Sequence, residues 1–196
     1  KKGTFSAGRL ARIGVLGAIS AVLYYFPEIP IIPPIYKLDF STLPALLGGF
    51  AMGPVSGLLI LLIKDLTGLL HSSSLGVGEL ADFLMSGAFV LAASLIYRRD
   101  KTRKGALLGM ALGVFAIALV GALTNYYIML PFYITAMHMP AEAIIAAIAA
   151  TVPAVDSLWK LILLATLPFN LLKGVVLAAV TFLLYKHLSP ILHGRA

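Results

Sequence analysis

An all-α integral membrane protein of six spanning helices, with both termini on the cytoplasmic side, is the fold class this sequence predicts. Three observations predict it. Apolar residues make up 60% of the 196 residues, only 12% are charged, and the mean hydropathy is +0.99, far above the apolar share of soluble domains. The apolar residues fall into helix-length runs suited to crossing roughly 30 Å of hydrocarbon, without the short alternating strands of a membrane barrel. The cations, finally, are grouped: Lys1, Lys2, Arg9 and Arg12 at the start, Arg98, Arg99, Lys101, Arg103 and Lys104 after the fourth span, Lys186 and Arg195 at the end, together 11 of 15. An even number of spans brings all three groups to one face, which the positive-inside rule names as the cytoplasm. Orientation thus accounts for the net charge of +7, and no nucleic-acid partner is expected. The absence of cysteine excludes thiol and cluster chemistry. Residues 1–196 read as one transmembrane domain.

Each element has a local reason. The first apolar run lasts to about Phe26 and stops at Pro27-Glu28-Ile29-Pro30. No small-residue cleavage site leads from it into polar sequence, so it reads as a span and not as a signal peptide. Along it Ala7, Ala11, Gly14, Ala18 and Ala21 recur three and four apart. Such a small-residue face suits close helix packing, either within this chain or against a partner. A Pro-rich loop through Pro33-Pro34 follows. Span two, about Phe40 to Met52, ends at Gly53-Pro54, a turn so short that the next helix must run antiparallel. Span three, Val55 to Leu70, carries Lys64-Asp65 inside it, and span four, Val77 to Tyr97, ends in the densest basic cluster. Span five occupies Gly105 to Tyr133. The stretch Ala141 to Val152 is short and alanine-rich, which predicts an interfacial or re-entrant helix. Span six, Ser157 to Tyr185, is interrupted by Pro168, which removes one backbone donor and leaves the Leu164 carbonyl without its usual partner.

Polar residues that hydropathy disfavours recur at one level. The loop His71-Ser72-Ser73-Ser74 leads into a helix carrying Glu79 and Asp82 three apart, hence on one side. Asp39 opens span two, Lys64 and Asp65 lie near the far end of span three, Asn125 near that of span five, and Asn170 and Lys173 share a face of span six. Ionised groups in a bilayer face a partner, a cavity or a ligand. Five helices contributing to one layer predict a cavity open to the outside. Of the adjacent Lys64 and Asp65, Lys64 is the one expected to reach it. The competing reading is internal pairing, Lys64 with Glu79 or Asp82 with Lys173. Tyr126, Tyr127, Tyr133, Trp159 and Phe169 lie at similar depth, suited to an interfacial belt or to stacking on a flat ligand.

Several chemistries are absent or weak. There is no Walker A sequence, so the chain does not hydrolyse ATP by itself. Gly76-Val77-Gly78 lacks the third glycine and preceding strand of a dinucleotide fingerprint. The four histidines have no metal-ligand spacing, and no catalytic residue or metal ligand is assigned. Ser72 to Ser74 beside His71 make a weak case for a membrane hydrolase. A stand-alone proton-coupled carrier, with Glu79, Asp82 and Lys173 titrating, is a further alternative.

Lys37-Leu38-Asp39-Phe40-Ser41, then Pro44-Ala45-Leu46-Leu47-Gly48-Gly49-Phe50, Gly53-Pro54 and Gly57, resemble the start of the riboflavin-specific substrate-binding components of energy-coupling factor (ECF) vitamin transporters. Gly76-Val77-Gly78-Glu79-Leu80-Ala81-Asp82-Phe83 and Pro168-Phe169-Asn170-Leu171-Leu172-Lys173-Gly174 are similar to the same family. The resemblance implies a six-helix protein of the bacterial cell membrane that captures riboflavin from outside, with a transmembrane coupling protein and two ATPase subunits as partners. It implies flavin contacts by Asp39, Asn125, Asn170 and Lys173. With the motif residues Leu38, Phe40 and Gly78 and the layer residues Lys64, Glu79 and Asp82, these form the expected substrate-binding set. Ala7, Ala11, Gly14, Ala18 and Ala21 become the expected docking face for the coupling protein. No cofactor is implied beyond the flavin held as ligand, riboflavin or flavin mononucleotide, and a sister component for another vitamin is the nearest alternative. The family carries asparagine where this chain has Asp82, and commonly where it has Asp65.

Overall fold

The computed structural model describes residues 6–192 other than Pro27 and Pro34, with side chains as far as Leu184. Lys1, Lys2 and Arg195, and the side chain of Lys186, lie outside the described residues, so of the basic groups at the two ends only Arg9 and Arg12 are placed. Five helical segments are long and apolar enough to cross a membrane: Ala7–Tyr25, Pro54–His71, Val77–Arg99, Arg103–Thr135 and Leu158–Leu184. The chain is a multi-pass membrane protein. In chain order the elements are α1 (Ala7–Tyr25), strands β1 (Ile29–Ile32) and β2 (Tyr36–Leu38), α2 (Leu43–Met52), α3 (Pro54–Gly68), α4 (Val77–Arg99), α5 (Arg103–Thr124), α6 (Leu130–Thr135), α7 (Ala141–Ala149), α8 (Leu158–Leu161) and α9 (Leu167–Leu192).

The expected second span is the ten-residue α2, only about 15 Å long. It is an interior element: Leu43 to Phe50 are all buried among α1, α3, α4 and α9. Gly53, at φ +95°, makes the turn into α3, a conformation that a residue with a Cβ rarely adopts.

α1 packs on α3 through Ile13, Gly17 and Ser20, with Gly17 seated against Ile63. The small residues Ala7, Ala11, Gly14 and Ala18 are exposed on the other side of the helix, and a Cβ on Gly14 would meet nothing within 4 Å. Packing inside the chain therefore does not explain that face. A second small-residue series does pack internally. Gly109 lies against the Ala93 backbone and Gly113 against Phe89, drawing α5 close to α4 as small-xxx-small spacing does.

The Pro-rich segment forms an antiparallel hairpin, with Ile29 opposite Leu38, Pro30 opposite Lys37 and Ile32 opposite Tyr36, where the sequence predicted only a loop. Pro30 sits in β1, where a two-stranded edge tolerates a missing donor. Ile32 and Tyr36 pack with Ile144 and Ile148 of α7 and with Leu161 and Phe169, a second apolar cluster beside the main core. α7 is about 13 Å long and buries one stripe, Ile144 and Ile148, against this cluster.

Two π turns interrupt the long helices, at Asn125–Met129 and Ile162–Thr166. Each is followed within two residues by a proline, Pro131 and Pro168. A proline has no N–H for the carbonyl four residues back, and the wider turn accommodates that break. Pro168 signalled its turn in the sequence, and Pro131 is the same signal unread.

Candidate ligand-binding site

The hairpin, the last turn of α1, the loop at Ser73 and Ser74, the start of α4, the π turn after α5, α6, α7 and the start of α9 surround a cavity of about 400 Å³, at the end of the bundle remote from the Arg98 to Lys104 cluster. Its wall includes Asp39, Gly78, Glu79, Asp82, Asn125, Asn170 and Lys173, so seven of the expected residues converge there. Leu38, Phe40 and Lys64 do not line it. Leu38 is buried on the hairpin's inner face, and Phe40 packs against the main core.

Lys64 corrects the expectation most clearly. It is 0% exposed and sits one layer behind the wall. Its ammonium lies 2.8 Å from Asp65 Oδ1 and also pairs with Asp82 Oδ2. The adjacent Lys64 and Asp65 thus hold each other and face no ligand. The Tyr24 ring of α1 lies 5.1 Å from the same ammonium. Lys173 Nζ donates to Asp39 Oδ2 at 2.9 Å and lies 3.5 Å from Asp82 Oδ1. Asp39 Oδ1 accepts from the Ser41 amide at 2.9 Å and from its hydroxyl. Pairing and cavity are therefore both present. Asp82 joins two lysines, and the outer lysine still faces the void. Lys64 does not pair with Glu79, because the serine loop holds that carboxylate.

In that loop Ser72 Oγ donates to Glu79 Oε2 at 2.7 Å, while Ser72 Oγ and Ser74 Oγ accept from the Gly76 and Gly78 amides, each at 2.9 Å. The serines thus cap the start of α4. His71 turns away, its Nδ1 3.4 Å from Tyr25 Oη. No serine, histidine and carboxylate assemble as a nucleophilic triad among the described residues, and the hydrolase reading loses its geometry.

The two asparagines are placed by the π turns. Asn125 Nδ2 donates to the Gly121 carbonyl at 2.8 Å and Asn170 Nδ2 to the Thr166 carbonyl at 2.9 Å. Each anchors to the helix turn behind it and presents its amide oxygen as an acceptor. Gly121 brings the helices together, since a Cβ there would collide with the Asn170 amide.

The apolar wall went largely unread in the sequence: Tyr36, Met85, Met129, Ile144 and Phe169 also line the cavity. Tyr36 and Phe169 lie with ring centroids 5.0 Å apart, and the Tyr36 hydroxyl bonds Thr166 Oγ1 at 2.5 Å. Burial pushes the Tyr36 phenol up to about 12, so it stays protonated. Tyr126, Tyr127 and Trp159 are exposed on the outer surface and stack edge-on, as an aromatic belt does. Flat apolar surfaces facing amide acceptors and an ammonium suit a planar ring system with carbonyl and N–H groups along one edge.

Residues 8–185 match the family described as the ECF transporter substrate-specific component. The chain is 36% identical over 186 residues to the riboflavin transporter RibU of Staphylococcus aureus (strain TCH60), covering 94% of this chain and 92% of that one. It is 29% identical to the riboflavin transporter FmnP of Bacillus subtilis (strain 168), covering 93% and 92%. Among solved structures, the S component of a bacterial ECF transporter superposes with a TM-score of 0.72 at 33% identity, over 94% of this chain and 97% of that one.

Proposed function

Because the chain belongs to the substrate-specific components of ECF transporters, we propose that it captures riboflavin in the cavity beneath the hairpin and gives such a transporter its specificity. The observation that carries this reading is the pairing of wall types. Tyr36, Phe169, Met85 and Met129 offer flat or soft apolar surface, while Asn125, Asn170 and Lys173 converge beside them. A flavin ring presents carbonyl, imide N–H and carbonyl in sequence along its polar edge. The asparagine oxygens accept from the N–H, and an ammonium with three donors bonds a carbonyl while keeping Asp39. Asp39 and Glu79 are placed for the ribityl hydroxyls.

The lining also bears on which flavin is bound. Glu28, Asp39, Glu79 and Asp82 supply four carboxylates against the two ammonium groups of Lys37 and Lys173, and Lys37 at the rim is already held by Glu28 at 2.6 Å. An excess of fixed negative charge repels a phosphate, so the neutral riboflavin is the better ligand and flavin mononucleotide the poorer.

In this reading α2 with its buried lead-in counts as a sixth crossing of the cell membrane, both termini are cytoplasmic, and the cavity opens outward. The exposed small-residue face of α1 docks a transmembrane coupling protein, and two ATPase subunits supply the energy. Nothing chemical happens to the ligand. Purified protein titrated with riboflavin and with flavin mononucleotide, read by quenching of flavin fluorescence, tests the assignment. Tighter binding of riboflavin supports it. Absence of saturable flavin binding ends it.

A further inference from the structure

A second cavity, of about 420 Å³, lies at the opposite end of the bundle, where α2 ends, α3 begins and α4 ends. Three cations line it: Arg9 from α1, Arg98 from the last turn of α4 and Lys101 just beyond. Among the described residues no carboxylate does. Arg9 is fixed in place, its Nε donating to Ser56 Oγ at 2.9 Å and its Nη2 to the Met52 carbonyl at 2.7 Å. At the floor stands Ser94, 1% exposed, whose hydroxyl has no hydrogen-bond partner among the described residues. It lies against Gly49, where any Cβ would collide with it. The Ser94 side chain thus closes the floor beneath the three cations.

We propose that this cavity binds the phosphate of an anionic phospholipid headgroup. Oxygen atoms of a phosphate accept from guanidinium and ammonium alike. The cavity sits where spanning helices leave the hydrocarbon, the level of the headgroups, and basic pockets between such helices hold lipid phosphates. Met52 lines the cavity, and Val55 beside it is 53% exposed, which gives the glycerol and acyl chains an apolar path outward. A soluble phosphate would use the cations but not that path.

The full chain, solubilised from membranes containing phosphatidylglycerol and phosphatidylcholine, is washed in detergent and its retained lipid counted by mass spectrometry. Phosphatidylglycerol is expected to be retained in preference. Arg98→Gln with Lys101→Gln is expected to lower its retention about 30-fold, from the usual contribution of two basic groups near a membrane surface. Arg103→Gln with Lys104→Gln, in the same basic cluster but at the start of α5 and outside the cavity, should change it no more than about twofold. Circular dichroism melting confirms that each variant is folded. Equal retention of the two lipids, or an equal effect of the control pair, overturns the proposal. Release of the lipid by millimolar inorganic phosphate would assign the site to a soluble anion instead. Loss of coupling-protein capture without any change in lipid would assign it to a protein carboxylate. The test is independent of the flavin reading, whose failure would leave these outcomes unchanged.

Discussion

Two cavities of nearly equal size, about 400 and 420 Å³, open at opposite ends of the same helices, and they are lined by opposite chemistry. Under the hairpin, carboxylates outnumber ammonium groups, and Asp39, Lys173, Asp82, Lys64 and Asp65 form one chain of ion pairs. At the other end three cations and, among the described residues, no acid line the cavity. Volume does not distinguish the two sites. What differs is where each stands relative to hydrocarbon. Charges deep in the bundle are tolerated only when they neutralise one another, so the inner cavity is paired and suits a neutral ligand. Charges at the basic end stand where water and headgroups meet them, and need no internal partner.

The largest expected effect strikes at the paired network. Lys64→Met removes the ammonium between Asp65 and Asp82 and leaves buried carboxylate charge uncompensated, which should cost about 3–5 kcal/mol of stability. Thermal unfolding in detergent measures it; an unchanged melting temperature would break the contrast, because the network would then be incidental. Next, Asn170→Ala strips one acceptor from the polar wall, and riboflavin affinity should fall by about 1–3 kcal/mol in a fluorescence titration, with a fall in melting temperature from the lost bond to the Thr166 carbonyl.

A smaller loss, about 0.5–1.5 kcal/mol, is expected for Tyr36→Phe, which breaks the hydrogen bond joining the hairpin to the π turn at Thr166. The same residue makes a pH prediction. Its phenol is held at about 12 by burial against roughly 10 in an unfolded chain. The unfolded state therefore releases its proton first, and stability present in full below about pH 10 is lost as the pH rises toward 12. Melting temperature followed against pH should show a steeper decline in the parent protein than in Tyr36→Phe. The smallest effect sharpens the comparison from the other side: Arg98→Gln with Lys101→Gln should leave riboflavin affinity within about 0.5 kcal/mol.

Much of this was legible in the residues themselves. Hydropathy and length marked the long spans, and the three-residue spacing of Asn170 and Lys173 put both on one wall, because helix geometry fixes which neighbours share a face. The serine loop before Glu79 announced a helix start. Other features could not be read that way. Whether Lys64 or Asp65 turned inward depended on Asp82 arriving from α4, a contact that no spacing along α3 encodes. The small residues of α1 offered two faces, and only the packing of Gly17 on Ile63 shows which is buried.

By itself, then, the sequence determined the membrane class, the basic end and the polar layer, since hydrophobicity and helical period act along the chain and need no partner. The tertiary structure alone decided that a proline-rich stretch pairs as a hairpin over the cavity, that α2 is an interior helix of ten residues, and that a second, cationic cavity lies at the other end. Those outcomes depend on long-range neighbours. A strand needs an opposing strand, a short helix needs walls to bury it, and a pocket exists only where separate helices meet.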